Sequence, residues 1–330
     1  MDTKGQPTRM ERLLFEIKKV IVGQDQLLER ILVCLLARGH LLVEGVPGLA
    51  KTLSIKTLAA AIDGDFKRVQ FTPDLVPADL VGTRVYDQRS GEFQTWLGPV
   101  FTNLLLGDEI NRAPAKVQSA LLEVMQERQV TIGKETHPVP DPFLVMATQN
   151  PIETEGTYAL PEAQVDRFMM KVLVSYPSEM DEFVVVERMT AAYPQVHAVL
   201  TTGELVELQR AADRVYVDPV LVEYVVRLVN ATRVPKEYGL PDIAKYLTYG
   251  ASPRASINLI VAGRALAYMR GRDYVLATDI LELVPDVLRH RLVLSYEALS
   301  DDVTPDAIVT KVLERIPLPR KLLAQRAASA

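Results

Sequence analysis

The sequence predicts an α/β protein whose second part is helical, on three observations. Short runs that are apolar at every position recur through the first half, amphipathic stretches of helical period separate them, and beyond about residue 178 only the helical period continues. Strands covered on both faces need no polar alternation, so continuous apolar runs separated by helices predict a parallel sheet with right-handed crossovers. The expected division is an α/β core over 1–177 and an all-helical domain over 178–330, two domains at roughly 150 residues each.

The first strand is expected at 41–43, where Leu41, Leu42 and Val43 are all apolar. A helix follows over 51–62, with Ile55, Leu58, Ala59 and Ile62 on one face. Further strands are expected at 104–106, 143–147 and 169–174, with 69–71 as a weaker fifth. In the second half, helices are expected at 181–193, 202–215, 219–232, 256–269 and 278–294, with Thr202, Ser256 and Thr278 as capping residues. The residues after Pro317, which include Arg320, Lys321 and Arg326, are expected to fray.

Composition narrows the class. Of 330 residues, 48% are hydrophobic and 24% charged, enough for a sizeable core and unlike a disordered chain. Thirty-seven bases against 42 acids give a formal net charge of −5, which disfavours a surface built to coat nucleic acid. The single cysteine, Cys34, excludes an internal disulfide and any multi-thiolate metal site; it sits in the apolar face 31–36 and reads as a small buried hydrophobe. The four histidines are too far apart in sequence for a local metal-binding pair. No apolar run approaches the ~18 residues of a membrane span, and residues 1–20 are charged rather than signal-like. A soluble, cytoplasmic protein is expected.

Directly after the first strand comes Gly45-Val46-Pro47-Gly48-Leu49-Ala50-Lys51-Thr52, with Leu53 entering the helix. A glycine loop between a strand and a helix is the arrangement that cradles phosphates: backbone amides and the helix N-terminus face the anion, a lysine reaches its outer charges, and a threonine hydroxyl ligates Mg²⁺. Gly45 and Gly48 permit the tight bend. Ala50 stands where glycine is usual, which requires a negative φ there, and Pro47 removes one donor.

Two more strand ends carry chemistry. The run 104–106 is followed by Gly107, Asp108 and Glu109. Ligands of open α/β sheets sit at the carboxyl ends of strands, so both acids are expected in the same crevice as the loop. Asp108 would order Mg²⁺ and Glu109 would polarise the attacking water. The run 143–147 ends in Thr148-Gln149-Asn150-Pro151, from which Asn150 can hold that water.

Taken together, these motifs resemble the AAA+ ATPases, and within them the MoxR family. The likeness rests on Ile21-Val22-Gly23-Gln24, the glycine loop, the Gln70 to Leu75 block, Asp108 to Pro114, Ala147 to Pro151, the Leu160 to Phe168 block and Gly250 to Ala255. The resemblance implies a P-loop core with a C-terminal helical lid, ATP or ADP with Mg²⁺ as cofactors, and ATPase activity. Gly45, Gly48, Lys51 and Thr52 would be Walker A, with Lys51 on the β and γ phosphates. Asp108 and Glu109 would be Walker B and Asn150 sensor 1. Arg167 would be the arginine finger serving a neighbouring subunit, Arg254 sensor 2, and Val22 and Gly23 would lie near the adenine. A homo-oligomeric, hexameric ring is implied, acting chaperone-fashion on a client protein through a partner with a von Willebrand factor A domain.

Two insertions stand out. Residues 85–98 resemble the insert that interrupts the second helix in this branch of the AAA+ proteins, and 129–142 read as a hairpin turning at Gly133-Lys134-Glu135. Related motors use such hairpins on DNA, but here Lys134 stands beside Glu135, so attraction to phosphates is weak and nucleic acid is not the expected partner. The alternatives are a nucleic-acid-handling AAA+ motor and an ATP-switched scaffold with negligible hydrolysis.

Overall fold

The computed structural model describes residues 8–46, 48–151, 156–190 and 194–319. Pro47 and the tail with Arg320, Lys321 and Arg326 lie outside the described residues. By internal contacts the chain forms two units, one of 1–167 with 172–208 and one of 168–171 with 209–330.

The first unit opens with α1 (Arg9–Lys18), where Thr8 and Glu11 exchange hydrogen bonds as a capping box, and α2 (Asp25–Leu36), which buries Cys34 completely. Then follow β1 (Leu41–Glu44), α3 (Lys51–Ala61), β2 (Phe66–Gln70), α4 (Pro77–Val81), the hairpin of β3 (Gly82–Asp87) with β4 (Glu92–Leu97), and β5 (Leu104–Asp108). Next come α5 (Ala115–Glu127), the hairpin of β6 (Gln129–Ile132) with β7 (Glu135–Pro138), β8 (Leu144–Gln149), α6 (Glu162–Val165), β9 (Met170–Leu173), whose first two residues count with the second unit, and α7 (Glu179–Thr190).

The five expected strands make one sheet in the order β2-β5-β8-β1-β9. Adjacent members β1 and β8, β8 and β5, and β5 and β2 pair in parallel. Leu41, Leu42 and Val43 of β1 and Leu104, Leu105 and Leu106 of β5 are buried, as continuous apolar runs between helical layers require. β2 lies at the sheet edge with Lys67 and Arg68 exposed, which is why its apolar signal is weak. Residue 177, the expected division, falls inside the first unit, where Arg188 of α7 donates to the Lys18 and Lys19 carbonyls, each at 2.9 Å.

The second unit is mainly helical, with α8 (Thr202–Asp213) entering it, then α9 (Pro219–Arg233), α10 (Pro241–Ala244), β10 (Leu247–Tyr249) and α11 (Pro253–Met269). α12 (Ala277–Leu288), β11 (Val293–Leu294), α13 (Tyr296–Ser300) and α14 (Pro305–Arg315) complete it. The expected helix 278–294 stops at Leu288, and β11 turns back to pair with β10. The caps also differ from expectation. Thr201, not Thr202, accepts the Glu204 amide at 3.2 Å; Ser252, not Ser256, accepts the Arg254 amide at 3.2 Å; and Asp279 accepts the Leu276 amide at 2.8 Å. Pro253 explains the earlier start of α11, since a proline is accommodated at the first helical position. Among the described residues, no helix is long and apolar enough to cross a membrane.

Candidate functional site

Between β1 and α3 the chain makes a tight loop whose glycines have separate reasons. At Gly45 a Cβ would stand 2.7 Å from the Val174 carbonyl oxygen, so only glycine lets the chain just after β9 pass. Gly48 has φ of +86°, a conformation open to glycine, and no atom lies within 4 Å of the missing Cβ. Ala50 departs from expectation: its φ is +55° and ψ 15°, left-handed rather than negative. The turn into α3 demands that conformation whichever residue fills it, and alanine adopts it at a cost of roughly 1–2 kcal/mol.

Lys51, the first residue of α3, donates its ammonium to the Gly45 carbonyl at 2.7 Å and so closes the loop on itself. Burial lowers the Lys51 pKa, and the nearby Asp108 and Glu109 carboxylates oppose that shift. No side chain caps the N-terminus of α3. Its first-turn amides are therefore left for an anion.

The carboxylates at the end of β5 are held from both sides. Thr148 on β8 donates its hydroxyl to Asp108 Oδ1 at 2.5 Å and accepts the Glu109 amide at 2.9 Å. Arg68 on β2 donates to Asp108 Oδ2 through Nε at 3.1 Å and Nη2 at 2.7 Å. Gln70, two residues along the same edge strand, accepts from Arg68 at 2.7 Å and donates to Glu109 Oε2 at 2.8 Å. Arg112 stands 3.4 Å from Glu109 Oε2. Glu109 itself has φ of +57°. Left-handed backbone at a non-glycine residue persists only where its surroundings impose it, and such positions cluster at functional sites.

Nine of the sequence-predicted residues line one cleft of about 450 Å³: Gly48, Leu49, Ala50, Lys51, Thr52, Leu53, Asp108, Glu109 and Asn150. Arg68, Gln70 and Thr148 complete its lining and were missed by sequence reasoning. The available signal was positional: Arg68 and Gln70 are two apart on β2 and so share a face, and Thr148 on β8 precedes by two the Asn150 that follows the strand. Gly45 and Val46 lie in the loop, and Pro47 lies outside the described residues. Val22 and Gly23 stand before α2; Gly23 has φ of +71°, and a Cβ there would meet the Asp181 side chain at 2.8 Å.

The other two predicted residues lie elsewhere. Arg167 lines a separate basin with Ser119, Glu123, Gln126 and Gln164, where its Nε donates to Gln126 Oε1 at 3.0 Å. Its Nη1 donates to the Ala163 carbonyl at 3.4 Å. Arg254 is the second residue of α11 in the second unit.

The donor set fits a magnesium nucleotide. Uncapped amides and Lys51 suit the phosphates, while the Thr52 hydroxyl and one carboxylate suit Mg²⁺, which takes one or two protein oxygens and fills its remaining positions with phosphate and water. A parallel sheet carrying a phosphate loop after β1, paired acids after β5 and an asparagine after β8 defines a P-loop nucleoside triphosphatase of the AAA+ class. Residues 40–170 match the ATPase family associated with various cellular activities (AAA), and 240–312 match the AAA lid domain. The chain is 58% identical to the chaperone MoxR1 of Mycobacterium tuberculosis over 94% of its own length and 82% of that relative's. It is 32% identical to protein MoxR of Methylorubrum extorquens over 96% of each chain. A solved structure from Cytophaga hutchinsonii superposes with a TM-score of 0.90 at 48% identity, covering 94% of this chain and 95% of that one. The chain belongs to the MoxR family of AAA ATPases.

Proposed function

We propose that this protein hydrolyses ATP as a cytoplasmic, hexameric ring and uses the cycle to remodel or activate a client protein. The observation that carries the reading is the single cleft joining the uncapped start of α3 to Asp108, Glu109 and Asn150. A bound magnesium ion would neutralise charge on the transferring phosphoryl group. Around it, the backbone amides of 48–52 and Lys51 bind and orient the phosphates, and Thr52 and Asp108 hold the metal. Glu109 takes the proton from the attacking water, and Asn150 keeps that water in line.

Two arginines complete the assignment. Arg167 lines a basin other than the cleft, which supports action on a neighbouring subunit's nucleotide. Arg254, on the helical lid, answers the charge of the terminal phosphate. Val22 and Gly23 contact the adenine. A partner with a von Willebrand factor A domain delivers the client, as the family resemblance implies. Lys134 next to Glu135 at the β6–β7 turn argues against duplex DNA as the substrate.

The test is Glu109→Gln. Phosphate release from the assembled protein should fall by about 10² or more while nucleotide binding persists, since removing a general base commonly costs 10²–10⁴-fold. The same variant held in ATP should retain the client on pull-down. Unchanged turnover would refute the assignment of Glu109, and undetectable turnover in the parent protein would favour the scaffold.

A further inference from the structure

Each oxygen of the Asp108 carboxylate is occupied, and by different kinds of partner. Oδ1 takes a neutral hydroxyl from Thr148, a contact that leaves the carboxylate's charge in place. Oδ2 takes two donors from Arg68. Arg68 projects from the edge strand β2, where Gln70 pairs in register with Asp108, and its side chain lines the nucleotide cleft. The Asp108 side chain is 17% exposed and that of Arg68 49%. One partner is therefore largely withdrawn from water while the other keeps enough solvent to leave.

We propose that Arg68 is a stand-in cation for the divalent metal: it holds Asp108 Oδ2 in the metal-free cleft, and its displacement sets how much Mg²⁺ is needed for the nucleotide to be bound in its metal-loaded form. This rests on the nucleotide reading of the cleft. Three features support it. Arg68 takes the Asp108 oxygen that Thr148 leaves open, so arginine and metal compete for one ligand atom. The pair is half-exposed on the arginine side, and such pairs shift equilibria only by up to about fivefold, so a divalent cation can displace it. Gln70 accepts from Arg68 and donates to Glu109, so departure of the guanidinium removes a partner from the amide that holds the proposed water activator.

The competition has two consequences of opposite sign. Without metal, Arg68 offsets the Asp108 charge close to where phosphates bind, so neutralising it should weaken metal-free nucleotide binding. With metal, the same substitution removes a competitor, so less Mg²⁺ should be required. A residue that merely supports the fold would move both measurements in the same direction.

The experiment uses the full-length chain, a fluorescent methylanthraniloyl-ADP probe and a MgCl₂ titration begun in excess chelator, on the parent, Arg68→Met, Arg68→Lys and Lys51→Ala. Arg68→Met should bind the probe about three- to fivefold more weakly in chelator and reach half-saturation at about three- to fivefold lower free Mg²⁺. Arg68→Lys, which keeps the charge, should stay within twofold of the parent in both. An Mg²⁺ midpoint in Arg68→Met that is unchanged or raised overturns the inference. Should Arg68→Met fail to fold, the midpoint of Arg68→Gln decides in the same way. Lys51→Ala separates the two layers: if it still binds the probe like the parent, the nucleotide reading of the cleft falls, whereas lost binding there with a fixed midpoint in the Arg68 variants sinks only the stand-in role.

Discussion

The Thr148 hydroxyl donates a hydrogen bond to the Asp108 carboxylate at 2.5 Å, which ties the end of β8 to the end of β5 at the nucleotide cleft. The same oxygen accepts the Glu109 amide, so one buried side chain orients both acids. Thr148→Val keeps the shape and removes both bonds. Phosphate release should fall about ten- to a hundredfold, as expected for losing hydrogen bonds to a charged group worth roughly 1.5–3 kcal/mol. The melting temperature of the nucleotide-free protein should drop as well, because the Asp108 carboxylate loses its hydroxyl donor. Parent-like turnover in Thr148→Val would show that the acids are oriented without it.

Ala50 offers a test of backbone strain. Its φ of +55° suits glycine, yet Ala50→Gly both relieves strain and loosens the unfolded chain, two effects of about 1 kcal/mol that oppose each other. Its melting temperature should therefore lie within about 1 °C of the parent. Ala50→Val, with a branched Cβ, should lower it by about 3 °C, the equivalent of ~2 kcal/mol in a chain of 330 residues. Equal melting curves for the two variants would mean that the loop relaxes out of the left-handed region.

How much of this was legible beforehand follows from where each residue sits. β1, β5 and β8 are buried on both faces, so their strands were visible as unbroken apolar runs, and the residues that follow them announced the cleft. β2 is an edge strand with a half-exposed pattern; nothing in its composition marks Arg68, and Gln70 enters only as the first residue of a block that carries the family resemblance, so the reach of both toward the acids shows only once β2 pairs beside β5. The helix caps were misplaced because a Ser or Thr can accept an amide from one position before a helix, and sequence alone does not say which turn is first. At Ala50 the residue type points to ordinary backbone, whereas the residue takes the left-handed angle at the turn into α3. The short β10–β11 pairing was hidden because two or three residues carry no period.

His40 and His290 predict acid sensitivity. His40 accepts the Val145 amide on Nδ1 at 3.0 Å and faces the Met125 carbonyl through Nε2 at 3.1 Å, so the fold holds it neutral. Burial, and then the Arg128 charge, lower its pKa from 6.5 to about 3. His290, against the Phe168 carbonyl at 3.1 Å, is lowered well below 6.5 by burial first and the Arg291 charge second. For a histidine lowered on folding, the unfolded chain takes up the proton first. Stability is thus complete above about pH 6.5 and declines as pH falls toward 3, at up to about 1.4 kcal/mol per pH unit for each histidine. Denaturant midpoints at pH 7.5, 6 and 5 should fall in that order, and His40→Gln should flatten the slope. A midpoint that stays constant across this range would contradict the neutral, buried assignment.

Arg167 yields the prediction that bears on assembly. Its guanidinium is steered by Gln126, near the C-terminal end of α5, and by the Ala163 carbonyl. If the arginine serves a neighbour's nucleotide, Arg167→Ala should cut turnover by about 10³ or more with nucleotide affinity unchanged, as loss of a trans-acting arginine does in phosphoryl transfer. Mixing then separates geometry from stability. Arg167→Ala subunits retain Glu109, and Glu109→Gln subunits retain Arg167, so adjoining copies can rebuild a complete site that neither variant has alone. Turnover should rise on mixing two preparations that are each nearly inactive. Gln126→Met, which keeps length but loses the acceptor, should lower turnover about fivefold or more without weakening nucleotide binding, the effect of one lost hydrogen bond to a charged group. Gln126→Glu, which keeps an acceptor oxygen, should recover most of it. If mixing restores nothing, Arg167 acts within its own chain, and the separate basin it lines has some other purpose.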